Sequence, residues 1–222
     1  MNNSVSNTGR LLWAGLRALL VLTLVTGVVY PLAVTGVAQA LFHDKANGSE
    51  VKAGGRVVGS ALIGQAYNLP LKKGQETPEP DLKWFQGRPQ NGLGTNSVNT
   101  RYQLILSGAT NRSADNEDLI DWVTAAKAAV VKDNSVPGHT VRPSAVPADA
   151  VTSSGSGLDP HISPDYADLQ VHRVAEKNGL PVARVQKLVD EHTEGRTFGF
   201  VGEPRVNVLE LNTALKALTA KS

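Results

Sequence analysis

Cysteine is absent from the 222 residues, which excludes disulfide scaffolds, thiolate metal sites and cysteine nucleophiles together. Charge of one sign is not in excess either: 22 Lys and Arg face 20 Asp and Glu, a formal net charge of +2. With no long basic or acidic run, the sequence announces neither a nucleic-acid surface nor an acidic tail. There is no Walker A lysine, no GxGxxG followed by an acid and no nearby pair of Mg²⁺-binding aspartates. The chain alone is therefore not expected to hydrolyse a nucleotide. His43, His139, His161, His172 and His192 form no HExxH and no i, i+4 pair, so no bound metal is expected.

One absence is local. Residues 18–42, ALLVLTLVTGVVYPLAVTGVAQALF, run for 25 positions without a formal charge. A helix rises about 1.5 Å per residue, so 18–38 alone would reach roughly 31 Å, the hydrocarbon thickness of a bilayer. The run reads as a transmembrane helix. Gly27, Pro31 and Gly36 are costly in a soluble helix but tolerated in lipid, and a kink near Pro31 is expected. A cleaved secretory signal is the competing reading, with Ala38-Gln39-Ala40 as the peptidase site, but signal cores are shorter, about 7–15 residues. Arg10 and Arg17 precede the run with no acid, and Arg17 abuts it, whereas Lys45 beyond it sits beside Asp44. That asymmetry reads as N-terminus inside and the following domain outside.

Beyond the anchor remain about 180 residues, enough for one domain with its own core. The expected fold is α/β (α+β), a single soluble domain anchored by one N-terminal transmembrane helix. Residues 1–10 are a polar, disordered cytoplasmic tail, 11–42 the membrane helix and 43–222 the domain outside. A linker follows at 43–55, and RVVGSALIGQAY from Arg56 reads as one or two strands. In LKWFQGRP, one of the adjacent Trp84 and Phe85 faces the core. Residues 90–97 read as an Asn and Gly loop, and 102–106 as a strand or helical turn. A helix spans 116–132, capped by Asp115, with Leu119, Ile120, Val123, Ala126 and Val130 on one stripe. Residues 133–147 are looped. Ser163 caps a helix that starts at Pro164 and ends near Asn178-Gly179, and a second helix runs from Pro181 to about Glu194. FGFVGEPRVNV has strand character with a turn at 202–204, and VLELNTALKAL closes the chain as an amphipathic helix.

Three stretches invite chemistry. LIGQ at 62–65 could offer the Gly64 backbone and the Gln65 amide to a phosphate or base; the plainer reading is a bulge glycine and a solvated glutamine. SSGSGLDPHISP at 153–164 gathers serines with Asp159 and His161. Without a GxSxG elbow, and with its polar residues in a proline-locked loop, it cannot align a hydrolase triad. It reads instead as a rigid loop: Gly155 and Gly157 permit left-handed turns, Asp159-Pro160 and Ser163-Pro164 fix φ, and Ser163 caps a helix. QVHRVAEKNGLPVARVQKLVDEH has the spacing of a helix-turn-helix, so a membrane-anchored DNA-binding regulator is the alternative function. Asp190, Glu191 and Glu194 on its second helix argue against it.

In order along the chain, one N-terminal span, GSALIGQ (59–65), WFQGRP (84–89), VTSSGSGLDPHISP (151–164), HRVAEKNGL and GEPRVNVLELNTAL (202–215) resemble the KdpC family, the small subunits of bacterial potassium-importing Kdp ATPases. Residues 91–100, NGLGTNSVNT, depart from the run that usually follows GRP in that family. The resemblance implies a non-catalytic subunit of a bacterial inner-membrane complex. Its partners would be a channel-like K⁺-translocating subunit and a P-type ATPase subunit, with no nucleic acid. It also implies a role in assembly and stabilisation, and a proposed one in raising ATP affinity, with a glutamine like Gln65 as the nucleotide contact. No cofactor is expected to bind tightly, and ATP enters only through the resemblance. Because ATP is cytosolic, a domain outside cannot touch it, so assembly ranks above nucleotide contact. Fold-defining or partner-contacting positions are expected at Gly155, Gly157, Asp159, Pro160, His161, Ser163 and Pro164, and at Gly202, Pro204, Arg205, Asn207 and Asn212.

Overall fold

The computed structural model describes residues 3–75, 78–89, 93–95, 103–105, 107–108 and 112–220. The chain divides into two compact units, Met1–Glu50 and Val51–Ser222.

The first unit is helical. Helix α1 (Asn3–Leu24) passes through a π turn (Val25–Val29) into α2 (Tyr30–Leu41). Ser6–Leu41, 36 residues, is long and apolar enough to cross a membrane, and none of its most apolar stretch is buried. Residues 3–10 are helical rather than a disordered tail: no proline interrupts them, and propagating an already nucleated helix adds a bond per residue, against a cost of about 1 kcal/mol at Gly9. The irregularity expected at Pro31 lies in the turn before it. Pro31 has no N–H for the Gly27 carbonyl and its ring would collide with that oxygen. The widened turn bonds Tyr30 N–H to Val25 O instead, and the Thr26 hydroxyl donates to Leu22 O at 2.7 Å. The stretch read as a linker is also structured: α3 (His43–Ala46) follows, and Asn47 exchanges amide bonds with Gln39 at 3.0 and 3.2 Å.

The second unit mixes helix and sheet. Strands β1 (Glu50–Ala53) and β2 (Arg56–Ser60) pair through a turn in which Gly54 and Gly55 both have positive φ, 58° and 77°. Glycine takes such positions without the strain that a Cβ brings, and Gly-Gly is one of the pairs suited to a tight hairpin turn. β3 (Leu93–Thr95) pairs antiparallel with β4 (Gln103–Ile105), Leu93 opposite Ile105. So 93–95, expected in a loop, form a strand; the rest of 90–97, and Tyr102 and Leu106, lie outside the described residues.

Helix α4 (Glu117–Asn134) is capped by Asn116, not Asp115: the Asn116 Oδ1 accepts from Leu119 N at 3.1 Å. It also runs two residues past its expected end. Two 3₁₀ turns (Pro143–Ala145, Ala148–Ala150) lead to β5 (His161–Ile162) and α5 (Pro164–Asn178). Gly179, φ 63°, ends α5, and Leu180 N reaches back to Ala175 O at 2.9 Å, closing a Schellman turn. Helix α6 (Val182–Glu191) stops three residues short of Glu194, because β6 (Thr193–Glu194) joins the sheet. Strand β7 (Arg205–Asn207) lies between β5 and β6, antiparallel to both, and α7 (Val208–Thr219) follows at once.

The core sits where α5, α6 and α7 meet this small sheet. Ala167, Val171 and Val174 of α5 recur at helical spacing and are 0–1 % exposed, as are Val185 and Val189 of α6 and Leu211 and Leu215 of α7. Phe85 is 0 % exposed while Trp84 only packs against the cluster, the division expected of that pair, although 82–89 is not a strand.

Candidate functional site

The segment WFQGRP has no strand partner, yet it crosses the core, so its buried peptide groups need other acceptors and donors. Two helices, α5 and α7, supply them. Asn212 of α7 accepts from Phe85 N with Oδ1 and donates to Phe85 O with Nδ2, both at 2.9 Å. Gln170 of α5 does the same for Gln86, at 2.7 and 3.0 Å. Arg173, one turn along α5, donates to the carbonyls of Leu82 and Trp84, to Asn134 Oδ1 at 2.8 Å and to Gln170 Oε1 at 2.6 Å. Its guanidinium is 1 % exposed and bonded only to neutral oxygens among these partners. Burial pushes its pKa down to about 10, against the pull of Tyr166, Asp133 and Asp81. Burial also pushes the Tyr166 hydroxyl up to about 12.

The loop 153–164 is fastened at nearly every polar atom. Ser154 Oγ and Ser156 Oγ lie 3.2 Å apart and accept from Asp159 N and Leu158 N. Gly157 takes φ 68°, whereas Gly155 is outside the left-handed region; of the two turns expected, only the one at Gly157 forms. Leu158 O accepts from Gly64 N at 2.8 Å, and Pro160 O from Val208 N at 3.0 Å. Ser163 caps α5 through Tyr166 N at 3.1 Å, with Pro164 first in the helix. Asp149 then holds both Ser163 N and Ser163 Oγ, at 2.7 and 2.9 Å. These serine hydroxyls are engaged within the loop or with Asp149.

The pairing of β5 with β7 sets His161 opposite Asn207. Asn207 caps α7 at Leu209 N and Glu210 N, and donates to Ala61 O at 2.8 Å. Asn207 and Asn212, two of the expected positions, are thus 5 % and 2 % exposed and turned inward. Of the others, Asp159, His161, Ser163, Pro204 and Arg205 line an open groove of about 510 Å³ together with Arg88, whereas Gly155, Gly157, Pro160, Pro164 and Gly202 are not part of its lining. Gly202, φ 80°, turns the chain just before Pro204. Asp159 Oδ1 accepts from His161 N at 2.9 Å and lies 3.3 Å from His161 Nδ1, and Asp159 Oδ2 is 3.5 Å from Arg88 Nη1. The His161 hydrogen bond, helped by Arg88, holds the Asp159 carboxyl below the usual carboxylate range despite partial burial. Arg88 also donates to the carbonyls of Thr152 and Ser153. Arg205 pairs with Glu194 at 2.7 Å.

Gln65 lies apart from this groove. Its Nε2 donates to Val58 O at 2.9 Å, and a Cβ on Gly59 would come within 2.1 Å of that nitrogen. Val58, Tyr67, Trp84, Leu209 and Lys216 wall a cavity of about 290 Å³ beside it. Arg173, Gln170, Asn134 and Asp149 were not foreseen. Gln170 and Arg173 sit at i, i+3 on the apolar face of α5, and two polar residues there are the available signal.

The described residues thus combine a helix long and apolar enough to cross a membrane with a separate mixed helix-and-sheet unit that carries an open, charged groove. Comparison with known proteins makes this specific. The family model described as "KdpC: K+-transporting ATPase, c chain" matches residues 12–217. Proteins named potassium-transporting ATPase KdpC subunit match the chain in Streptomyces avermitilis, 82 % identical over 222 residues and all of both chains. The Streptomyces coelicolor protein of that name is 78 % identical over 99 % of this chain and 98 % of its own. The one from Gemmatimonas aurantiaca is 44 % identical over 93 % and 94 %. The chain belongs to the KdpC family, subunits of the K⁺-transporting ATPase. Helices α5 and α6 are joined by a turn at Gly179, as the helix-turn-helix spacing expects, but the family is that of a K⁺-transporting ATPase subunit and not of a DNA-binding regulator.

Proposed function

We propose that this chain is the accessory, non-catalytic subunit of an ATP-driven potassium importer, holding together a channel-like K⁺-translocating subunit and a P-type ATPase subunit. Residues 11–42 anchor it once in the bacterial inner membrane, residues 1–10 face the cytoplasm and the domain from 43 onward lies outside. The observation that carries the reading is the meeting of WFQGRP, DPHISP and GEPRVN at one open, charged groove, while their inward polar groups brace the fold. Arg88, Asp159, His161, Pro204 and Arg205 form the partner-contacting face; Gly157, Ser163, Asn207 and Asn212 keep it in shape. The test is copurification. The wild-type chain should carry both large subunits, and Arg205→Glu should lose them while the chain remains folded. A C-terminal reporter, phosphatase against fluorescent protein, checks the side of the membrane.

Direct contact with ATP is the second reading. The aromatic-walled cavity beside Gln65 and Lys216 supports it, and the commitment of the Gln65 amide to Val58 counts against it. Photolabelling of the full chain with an azido-ATP, lost in Gln65→Ala, would favour this reading.

A further inference from the structure

Strands β6 and β7 are the legs of a hairpin whose tip is Phe198-Gly199-Phe200. Thr197 and Val201 close it with two mutual backbone bonds of 2.9 Å, and Gly199 N bonds Arg196 O at 3.0 Å. Phe198 and Phe200 are 87 % and 75 % exposed, more than any large apolar side chain described in the N-terminal helix, where Leu11 stands at 73 %. Phe198 also has φ 54°. A side chain with a Cβ rarely takes that conformation, and glycine would take it freely. The chain therefore keeps a phenylalanine where both solvation and backbone geometry oppose it.

Two occupants could cover this tip, and size separates them. A phenylalanine side chain offers roughly 150–250 Å², so the pair falls well short of the about 1,200 Å² that a specific protein interface needs. A bilayer needs no such area from a domain already tethered beside it, because the tether replaces the cost of association with a high effective concentration. Nine residues, 42–50, join the apolar span to the second unit, a reach of at most about 32 Å. The charges on the hairpin legs are paired, Arg196 with Glu203 at 2.6 Å and Arg205 with Glu194 at 2.7 Å. Phenylalanines on a charge-neutral tip suit the apolar edge of the headgroup layer rather than an anionic surface.

We propose that the 197–201 tip inserts Phe198 and Phe200 into the outer face of the same bilayer that holds the N-terminal helix, giving the domain a second, shallow membrane contact. This rests on the anchoring reading above. Because the chain has no cysteine, one can be placed at will. Phe200→Cys and, as a reference, Lys187→Cys on exposed α6 are labelled with an environment-sensitive fluorophore in the full chain. The chains are reconstituted into vesicles of phosphatidylethanolamine and phosphatidylglycerol. Nitroxide-bearing lipid should quench the label at 200 several-fold more than the label at 187, and aqueous iodide should do the reverse, with little change in high salt. Phe198→Gly, which relieves the backbone, should leave the protein folded while reducing lipid quenching at 200. Iodide quenching at 200 equal to that at 187, in chains that float with the vesicles, overturns the insertion alone. A label shielded from both quenchers places the tip against protein and overturns it too. Chains that do not float overturn the anchor, and the tip contact with it.

Discussion

The side-chain amide of Asn212 makes two 2.9 Å hydrogen bonds to the peptide groups of Phe85, 127 positions away. It takes the place of a neighbouring strand for a segment that has none, and ties the closing helix to WFQGRP. Replacing it by leucine leaves a buried N–H and a buried C=O unpaired, at a cost of about 2–4 kcal/mol. Asn212→Asp should recover only the bond from Phe85 N. Denaturant midpoints followed by tryptophan fluorescence read both.

Arg173 fills four neutral acceptors from a fully buried position. Arg173→Met should destabilise by about 3 kcal/mol or more, because the Leu82 and Trp84 carbonyls are left without it. Arg173→Lys should rescue little, since an ammonium cannot span the guanidinium's fork. The same denaturation measurement ranks the three proteins.

In alkali, Tyr166 and Arg173 pull in opposite directions. The Tyr166 pKa of about 12 lies above its ordinary 10.0, so its contribution is complete below pH 10 and is lost as pH rises toward 12. The Arg173 pKa of about 10 lies below its ordinary 12.5, so over that range it gives up its proton more readily in the folded state and its contribution to stability rises with pH. Tyr166→Phe should therefore remove the alkaline loss, and stability between pH 10 and 12 should fall less than in the wild type.

Asp159 governs the acid side. Its folded pKa is depressed, chiefly by the His161 hydrogen bond, so its stabilisation is present above the ordinary carboxylate range and is lost as pH falls through the folded value. Asp159→Asn should flatten the stability curve below about pH 4. It should also free Arg88, visible as faster proteolysis of the 153–164 loop.

Gly59 and Gln65 should couple. Gly59→Ala drives a Cβ against the Gln65 amide and Leu209, displacing the bond to Val58. Gln65→Ala makes room. The double variant should be more stable than the two single losses add up to.

Elements with strong local signals were legible in the chain. The Ser163-Pro164 start and Gly179 stop of α5 need only the capping hydroxyl, the proline ring and a left-handed glycine. The uncharged run at 18–42 likewise needs only its composition. Expectations failed where a distant strand or a near-equivalent neighbour decided. Asn116 took the cap from Asp115, β6 ended α6 early at Glu191, and Gly155 left the left-handed turn to Gly157 alone.

By itself, then, the order of residues set the apolar helix, the amphipathic stripes and the motifs that mark the KdpC family, because periodicity, capping and composition act over a few neighbouring positions. Only the folded chain decided that Gln170, Arg173 and Asn212 would serve WFQGRP and that Arg88, His161 and Arg205 would share a groove. Those partners lie far apart in sequence, and a buried peptide group is satisfied by whichever side chain the packing of helices brings within 3 Å of it.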